Sequence, residues 1–219
     1  YLRIVGRATG AAFSAVEDSL RPGMTESQVY RVFARTLVEE CGGVVGYFAM
    51  HSGVEERFRS SGWPTERRIE VGDLVWLDVG AIYRGYWSDY TRMFAVGRAT
   101  KGQREAYALM HDVNRQLCAA LRPGLRAEDV MRDCAALFAE RGVQIANASR
   151  VGHGIGTSIT EPPSLIRGDT TPLVSRTALA IEPALRTAEG YFVVEENLVI
   201  TDAGHEFLSV PCEPELPVV

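Results

Sequence analysis

Lysine is almost missing from this chain: Lys101 stands alone among 23 basic residues, and arginine supplies the rest. We read that bias as genome composition rather than chemistry. Positive charge is not in excess either. The net charge is −5, so the basic face that nucleic-acid binding needs is not there. Cysteine is sparse: Cys41, Cys118, Cys134 and Cys212 are far apart and form no Cys-x-x-Cys. That excludes a disulfide framework and a zinc knuckle, and it fits a reducing, cytoplasmic compartment. No apolar run approaches the ~18 consecutive residues of a membrane helix. What remains is ordinary for a globular domain: 219 residues, 46% apolar and 23% charged. The chain opens at Tyr1, and it is expected to be the C-terminal segment of a longer chain.

An internal repeat sets the architecture. Leu20-Arg21-Pro22-Gly23 returns as Leu121-Arg122-Pro123-Gly124, offset by 101, and Val29, Arg31, Ala34 and Glu39 match Val130, Arg132, Ala135 and Glu140 at the same offset. Each copy links two helical patterns. In the first half these run from Arg7 to Leu20, then from the Thr25-Glu26-Ser27-Gln28 capping box to Gly42-Gly43. In the second half they run from Thr100-Lys101-Gly102-Gln103 to about Leu121, then from Ala127 to Gly142. A strand pair follows each helix pair. Leu74–Ala81 and Tyr86–Val96 meet around Tyr83-Arg84-Gly85, while Leu179–Ala184 and Tyr191–Thr201 meet around Ala188-Glu189-Gly190. This order predicts an α+β fold, antiparallel sheet covered by helices, as a single catalytic domain over 1–219 with halves of about 1–98 and 99–219.

The hairpins carry paired acids. A turn centred between Tyr83 and Arg84 sets Asp78 directly opposite Asp89; one centred between Ala188 and Glu189 sets Glu182 opposite Glu195. Facing residues stand roughly 4.5–5.5 Å apart at Cβ, and like charges there are destabilising. Leu77, Val79, Ile181 and Val194 beside them read as buried, so desolvation adds to the cost. Divalent cations remove both penalties, and four inward carboxylates suit two ions. His153 supplies a nitrogen ligand from Gly152-His153-Gly154-Ile155-Gly156, where the flanking glycines let backbone come close. His51, His111 and His205 read as structural or solvent-exposed.

These segments together resemble the motifs of the pita-bread metallohydrolases, the superfamily of methionine aminopeptidase, Xaa-Pro aminopeptidase, prolidase and creatinase. The resemblance rests on Leu77-Asp78-Val79-Gly80-Ala81, the Gly85–Arg92 segment, Gly152–Gly156, Ile181-Glu182-Pro183, and Glu195 with Thr201. It covers nearly the whole chain, and the Tyr86–Arg92 segment is most similar to the Xaa-Pro branch. It implies two pseudo-symmetric halves around two divalent ions, of manganese, cobalt, zinc or iron. Asp78 would chelate one ion, His153 and Glu182 the other, and Asp89 and Glu195 would bridge both. Glu196 is the alternative to Glu195, although strand alternation points it to the opposite face. Glu182 would also be the catalytic proton shuttle, and the implied reaction is hydrolysis of an amide-type C–N bond in a small peptide or other small molecule.

The chain departs from the family at two substrate-binding positions. Family peptidases usually carry histidines where this chain has Ser61, before Pro64-Thr65-Glu66-Arg67, and Thr160, before Glu161-Pro162-Pro163. Losing such a donor elsewhere costs about 2–4 kcal/mol of transition-state stabilisation. Three readings follow. The first is a metal-dependent Xaa-Pro peptidase. The second is a non-peptide C–N hydrolase like creatinase or ectoine hydrolase. The third is an inactive binding module, which the intact acids oppose. No nucleic-acid or membrane partner is expected, and a homodimer is compatible with each reading.

Overall fold

The computed structural model describes residues 1–53, 62–144, 146 and 150–219. Helices α1 (Leu2–Ser19) and α2 (Glu26–Cys41) lead into strands β1 (Val44–Gly53), β2 (Leu74–Tyr83) and β3 (Tyr86–Ala95). Helices α3 (Lys101–Ala120) and α4 (Ala127–Glu140) lead into shorter strands: β4 (Gly152–Gly154), β5 (Glu161–Ser164), β6 (Ala178–Ile181), β7 (Ala184–Thr187), β8 (Gly190–Val193), β9 (Glu196–Thr201) and β10 (Gly204–Phe207). One antiparallel sheet has the order β1-β2-β3, a second the order β10-β9-β6-β4-β5, and β7 pairs with β8. No helix among the described residues is long and apolar enough to cross a membrane.

The helices form where apolar periodicity and caps coincide. α1 buries Val5, Ala8, Ala12, Phe13 and Val16, and α3 buries Ala106, Tyr107, Met110, Val113 and Leu117, both at 3–4 spacing. Because Val5 already belongs to that stripe, α1 begins at Leu2, ahead of the expected Arg7. Thr25 and Gln28 exchange hydrogen bonds at 2.9 and 3.2 Å, and Thr100 and Gln103 at 2.8 and 3.0 Å, so both capping boxes form.

The repeat is visible in the backbone. Gly23 and Gly124 hold φ of 90° and 92°, which favours glycine. Each donates its N–H to the segment leading into its own half's sheet, Gly23 to Ile69 O at 2.8 Å and Gly124 to Leu173 O at 2.9 Å. Antiparallel bridges follow, Thr25 with Arg68 and Arg126 with Pro172. The two halves are therefore pseudo-symmetric. One core gathers around Phe13, Phe33, Phe48, Leu77 and Tyr90, and the other around Met110, Leu117, Phe138, Leu179 and Phe192.

The first hairpin differs from expectation. Its turn residues are Arg84 and Gly85, at φ 49° and 83°, and Tyr83 pairs with Tyr86. Asp78 therefore stands opposite Thr91, and Asp89 opposite Gly80, so the two acids are diagonal rather than facing. Two positive-φ residues match the twist of the strands better than a turn centred at Tyr83-Arg84. The slip is two residues, so both carboxylates stay on one face.

The second hairpin keeps the expected register, Ala178↔Val199 through Ile181↔Glu196 and Ala184↔Val193 through Thr187↔Gly190. Its strands are interrupted at Glu182-Pro183 and Val194-Glu195, however, which splits each expected strand in two. Pro183 has no N–H to give a ladder. Asn114 of α3, fully buried, fills the gap: its Nδ2 donates to Ile181 O at 2.9 Å and to Val194 O at 2.8 Å. The Glu182 N–H donates outward to Val151 O at 2.9 Å. Glu182 and Glu195 thus sit at a break in the sheet and face the middle of the molecule.

Candidate metal centre

Strands from both halves meet at this break. Asn197 of β9 accepts the Asp89 N–H at 2.8 Å through Oδ1, and its Nδ2 donates back to Asp89 O. That places β3 beside β9 and brings Asp89 next to Glu195. The candidate ligand atoms of Asp89, His153 and Glu195 all lie within 4.8 Å of one another. His153 Nε2 is 3.5 Å from Asp89 Oδ2 and 3.7 Å from Glu182 Oε1. Asp78 stands next to them, close enough for its titration to feel Glu182, Asp89, Tyr47 and Arg150. The sequence-predicted acids and His153 are therefore together in space.

Their electrostatics are unfavourable as they stand. Asp89, His153 and Glu195 are at most 6% exposed. Burial, then the neighbouring Glu182 charge, pushes Asp78 up to about 7. Burial and the other acids push Asp89 and Glu195 well above the usual carboxylate range. Burial also raises Glu182, against the pull of Arg150. The same burial lowers His153 to about 4, so its ring is neutral. His153 Nδ1 lies 2.9 Å from Gly154 O, and a carbonyl can only accept, so Nδ1 carries the proton. The bare Nε2 lone pair then faces carboxylate oxygens. Asp89 Oδ1 is buried with no hydrogen-bond partner among the described residues.

Acceptors turned toward acceptors in a largely buried site suit a cation. One nitrogen and several carboxylate oxygens fit manganese, cobalt, zinc or iron(II). The supporting bonds fit as well. His153 is oriented by a backbone carbonyl, and Thr91 Oγ1 donates to Glu195 Oε2 at 2.7 Å, which steadies a carboxylate without neutralising it.

Glu196 is turned the other way. It is fully buried and receives Arg92 Nη2 at 3.0 and 3.2 Å, the Cys212 N–H at 2.9 Å, and the Ser209 hydroxyl. Thr160 is exposed in the connection between β4 and β5 and makes no hydrogen bond to the acids. Ser61 lies outside the described residues. His111 and His205 belong to α3 and β10, outside the cluster.

Several contributors were not visible in the sequence. Thr91 could have been found, because it shares the Asp89 face by alternation. Tyr47 and Asn114 carry no local signal. Arg150 is, with Arg59 and His51, a sequence candidate to take over from the missing histidines, but its place is not legible there: the fold sets its Nη2 at 3.0 Å and Nε at 3.2 Å from Glu182 Oε1.

Residues 1–202 match metallopeptidase family M24, and the chain belongs to that family. The probable dipeptidase PepE of Mycobacterium tuberculosis is 30% identical over 220 residues, covering 96% of this chain and 58% of that protein. The crystal structure of dipeptidase PepE from Mycobacterium ulcerans aligns with a TM-score of 0.90 at 31% identity, covering 100% of this chain and 59% of that one. Xaa-Pro dipeptidase from Bacillus anthracis aligns with a TM-score of 0.91 at 26% identity, covering 100% and 61%. The fold is the pita-bread α+β fold. The chain spans about three fifths of the length of these relatives.

Proposed function

We propose that this chain is the catalytic part of a dinuclear, divalent-metal-dependent peptidase of Xaa-Pro type. The observation that carries the reading is the cluster of Asp89, His153 and Glu195, whose candidate ligand atoms lie within 4.8 Å of one another, with Glu182 Oε1 3.7 Å from His153 Nε2 and Asp89 Oδ1 buried without a partner among the described residues. In this reading Asp78, Asp89, His153, Glu182 and Glu195 would hold two ions. Bound divalent ions supply Lewis acidity at the scissile carbonyl and lower the pKa of water. The protein does the rest. His153 presents Nε2 because its Nδ1 proton is committed to Gly154 O. Thr91 steadies Glu195. Glu182, at the break in the strand and partly open to solvent, passes a proton from water to the leaving nitrogen. The free state of all four cysteines supports a reducing cytoplasm as its setting.

A non-peptide C–N hydrolase is the second reading. It is favoured by Thr160, which is exposed and puts no imidazole beside the acids. The test for both is reconstitution with manganese, cobalt, zinc and iron, measurement of metal bound per chain, and assay against X-Pro dipeptides and small non-peptide amides. Two ions per chain with X-Pro turnover supports the first reading. Two ions with turnover of non-peptide amides alone supports the second. Protein that binds no divalent ion overturns both.

A further inference from the structure

Arg150 stands out as a cation in an acid cluster. Among the described residues, it is the only permanently charged cation within ion-pair distance of Asp78, Asp89, Glu182 or Glu195. Both of its contacting nitrogens, Nη2 at 3.0 Å and Nε at 3.2 Å, point at one atom, Glu182 Oε1. That oxygen also lies 3.7 Å from His153 Nε2, so the guanidinium shares a candidate metal ligand with the imidazole. Its side chain is 34% exposed, so it stands at the mouth of the site rather than in its floor. Nη1 has no hydrogen-bond partner among the described residues.

Charge decides what happens to this arginine when ions enter. A divalent cation at Glu182 competes with the guanidinium for Oε1 and repels it, in a site where burial weakens screening. A guanidinium stays charged in proteins, so the repulsion is not relieved by proton loss. It is left charged, half-exposed and with its planar fork of donors open, next to the place where substrate must sit. That fork matches an oxygen anion better than any other group.

We propose that Arg150 is a substrate-binding residue that yields Glu182 to the divalent ion and takes an anionic oxygen of the substrate instead. The oxygen has two possible sources: a carboxylate already on the substrate, or the oxyanion that develops on the scissile carbonyl. This proposal rests on the metallopeptidase reading above, and its first test does not depend on turnover.

The experiment compares wild type with Arg150→Gln and Arg150→Lys, each first shown to melt as wild type does without metal. Manganese is titrated by calorimetry. Arg150→Gln should bind manganese about tenfold more tightly or better, since the competing charge is gone, while Arg150→Lys should stay near wild type. Turnover is then measured on Ala-Pro and on its C-terminal amide. If the anionic oxygen is a ground-state carboxylate, KM for Ala-Pro rises at least tenfold in Arg150→Gln and the preference for acid over amide disappears. If it is the oxyanion, kcat falls at least tenfold on acid and amide alike. Either pattern, with tighter manganese binding, supports the role. Unchanged manganese affinity, or an unaltered KM and kcat on both substrates, overturns it. Should wild type cleave neither substrate, the proposed peptidase function falls; the manganese titration still shows whether Arg150 and the ion compete for Glu182.

Discussion

Glu195 and Glu196 are adjacent in the chain and opposite in electrostatic surroundings. Glu195 faces Asp89, Asp78 and Glu182 and, among the described residues, has only the Thr91 hydroxyl for support. Glu196 faces away and is ion-paired with Arg92 at 3.0 Å. Arg92 also donates to Glu195 O at 2.9 Å and to Thr91 O at 2.7 Å, so it clamps β3 against the Glu195 backbone from behind the site.

The pair therefore predicts opposite phenotypes. Glu196→Ala leaves Arg92 buried without its counter-charge, and breaking such a pair costs about 3–5 kcal/mol. Glu195→Gln removes a repelling charge and keeps an acceptor for Thr91, so apo stability should change little. Thermal melting with and without manganese separates them. Glu195→Gln should melt like wild type without metal and lose the metal-induced rise. If Glu196→Gln loses that rise while Glu195→Gln keeps it, the ligand assignment is reversed.

The acids also set the sign of a pH effect. Asp78, Asp89, Glu182 and Glu195 all have folded-state pKa values raised above those of the unfolded chain. As pH falls from about 8 through the Asp78 value of about 7, the folded protein takes up protons that the unfolded chain does not. Metal-free protein should thus become more stable on acidification toward pH 6.5, by about 2–4 °C for each kcal/mol gained. His153 works against this only at lower pH. Its value is depressed to about 4, so the stability it contributes is lost between about 6.5 and 4. Manganese-loaded protein should show the reverse slope, because protons displace the ion. Melting curves from pH 8 to 6.5, in chelator and in manganese, check both signs; parallel slopes would refute the linkage.

Much of this site was legible because its signals are local or periodic. The Pro-Gly repeat, the two capping boxes and the glycine-flanked His153 each need only a few neighbouring residues to be read. Face assignment also survived an error. The turn at Arg84-Gly85 moved the register by two, and a period of two forgives an even slip. What could not be read lies in long-range packing. The break at Glu182 and Glu195 depends on Asn114, 67 residues from Ile181 and 80 from Val194 along the chain. The Arg150–Glu182 contact likewise depends on how residues before β4 are laid against the β6–β7 junction.

Asn114 provides a test of that packing. Its amide satisfies two carbonyls that the interrupted ladder leaves open, and the side chain is fully buried. Asn114→Ala should cost roughly 2–6 kcal/mol, at about 1–3 kcal/mol for each orphaned carbonyl. It should also weaken manganese binding, since Glu182 and Glu195 flank those carbonyls. Chemical denaturation with a metal titration checks both; a variant that loses stability and keeps full manganese affinity would show that Asn114 does not position the acids.

Asp89 gives the sharpest separation between a structural acid and a functional one. Among the described residues its Oδ1 has no hydrogen-bond partner, its Oδ2 is 3.5 Å from a neutral imidazole nitrogen, and its neighbours Asp78 and Glu195 repel it. Apart from the charge of Arg150, nothing near it rewards its negative charge in metal-free protein. Asp89→Asn keeps the shape, removes one charge and leaves the backbone bonds to Asn197 in place. Metal-free Asp89→Asn should therefore melt at or above the wild-type temperature. Wild type at manganese a hundredfold above Kd should gain about 2.7 kcal/mol from binding, and the variant should gain almost none. Its hydrolytic activity should fall with that loss. The decisive measurement is the metal-free melt: a drop of several degrees on Asp89→Asn would mean that the carboxylate supports the fold by itself, and the metal-centre reading would lose its strongest support.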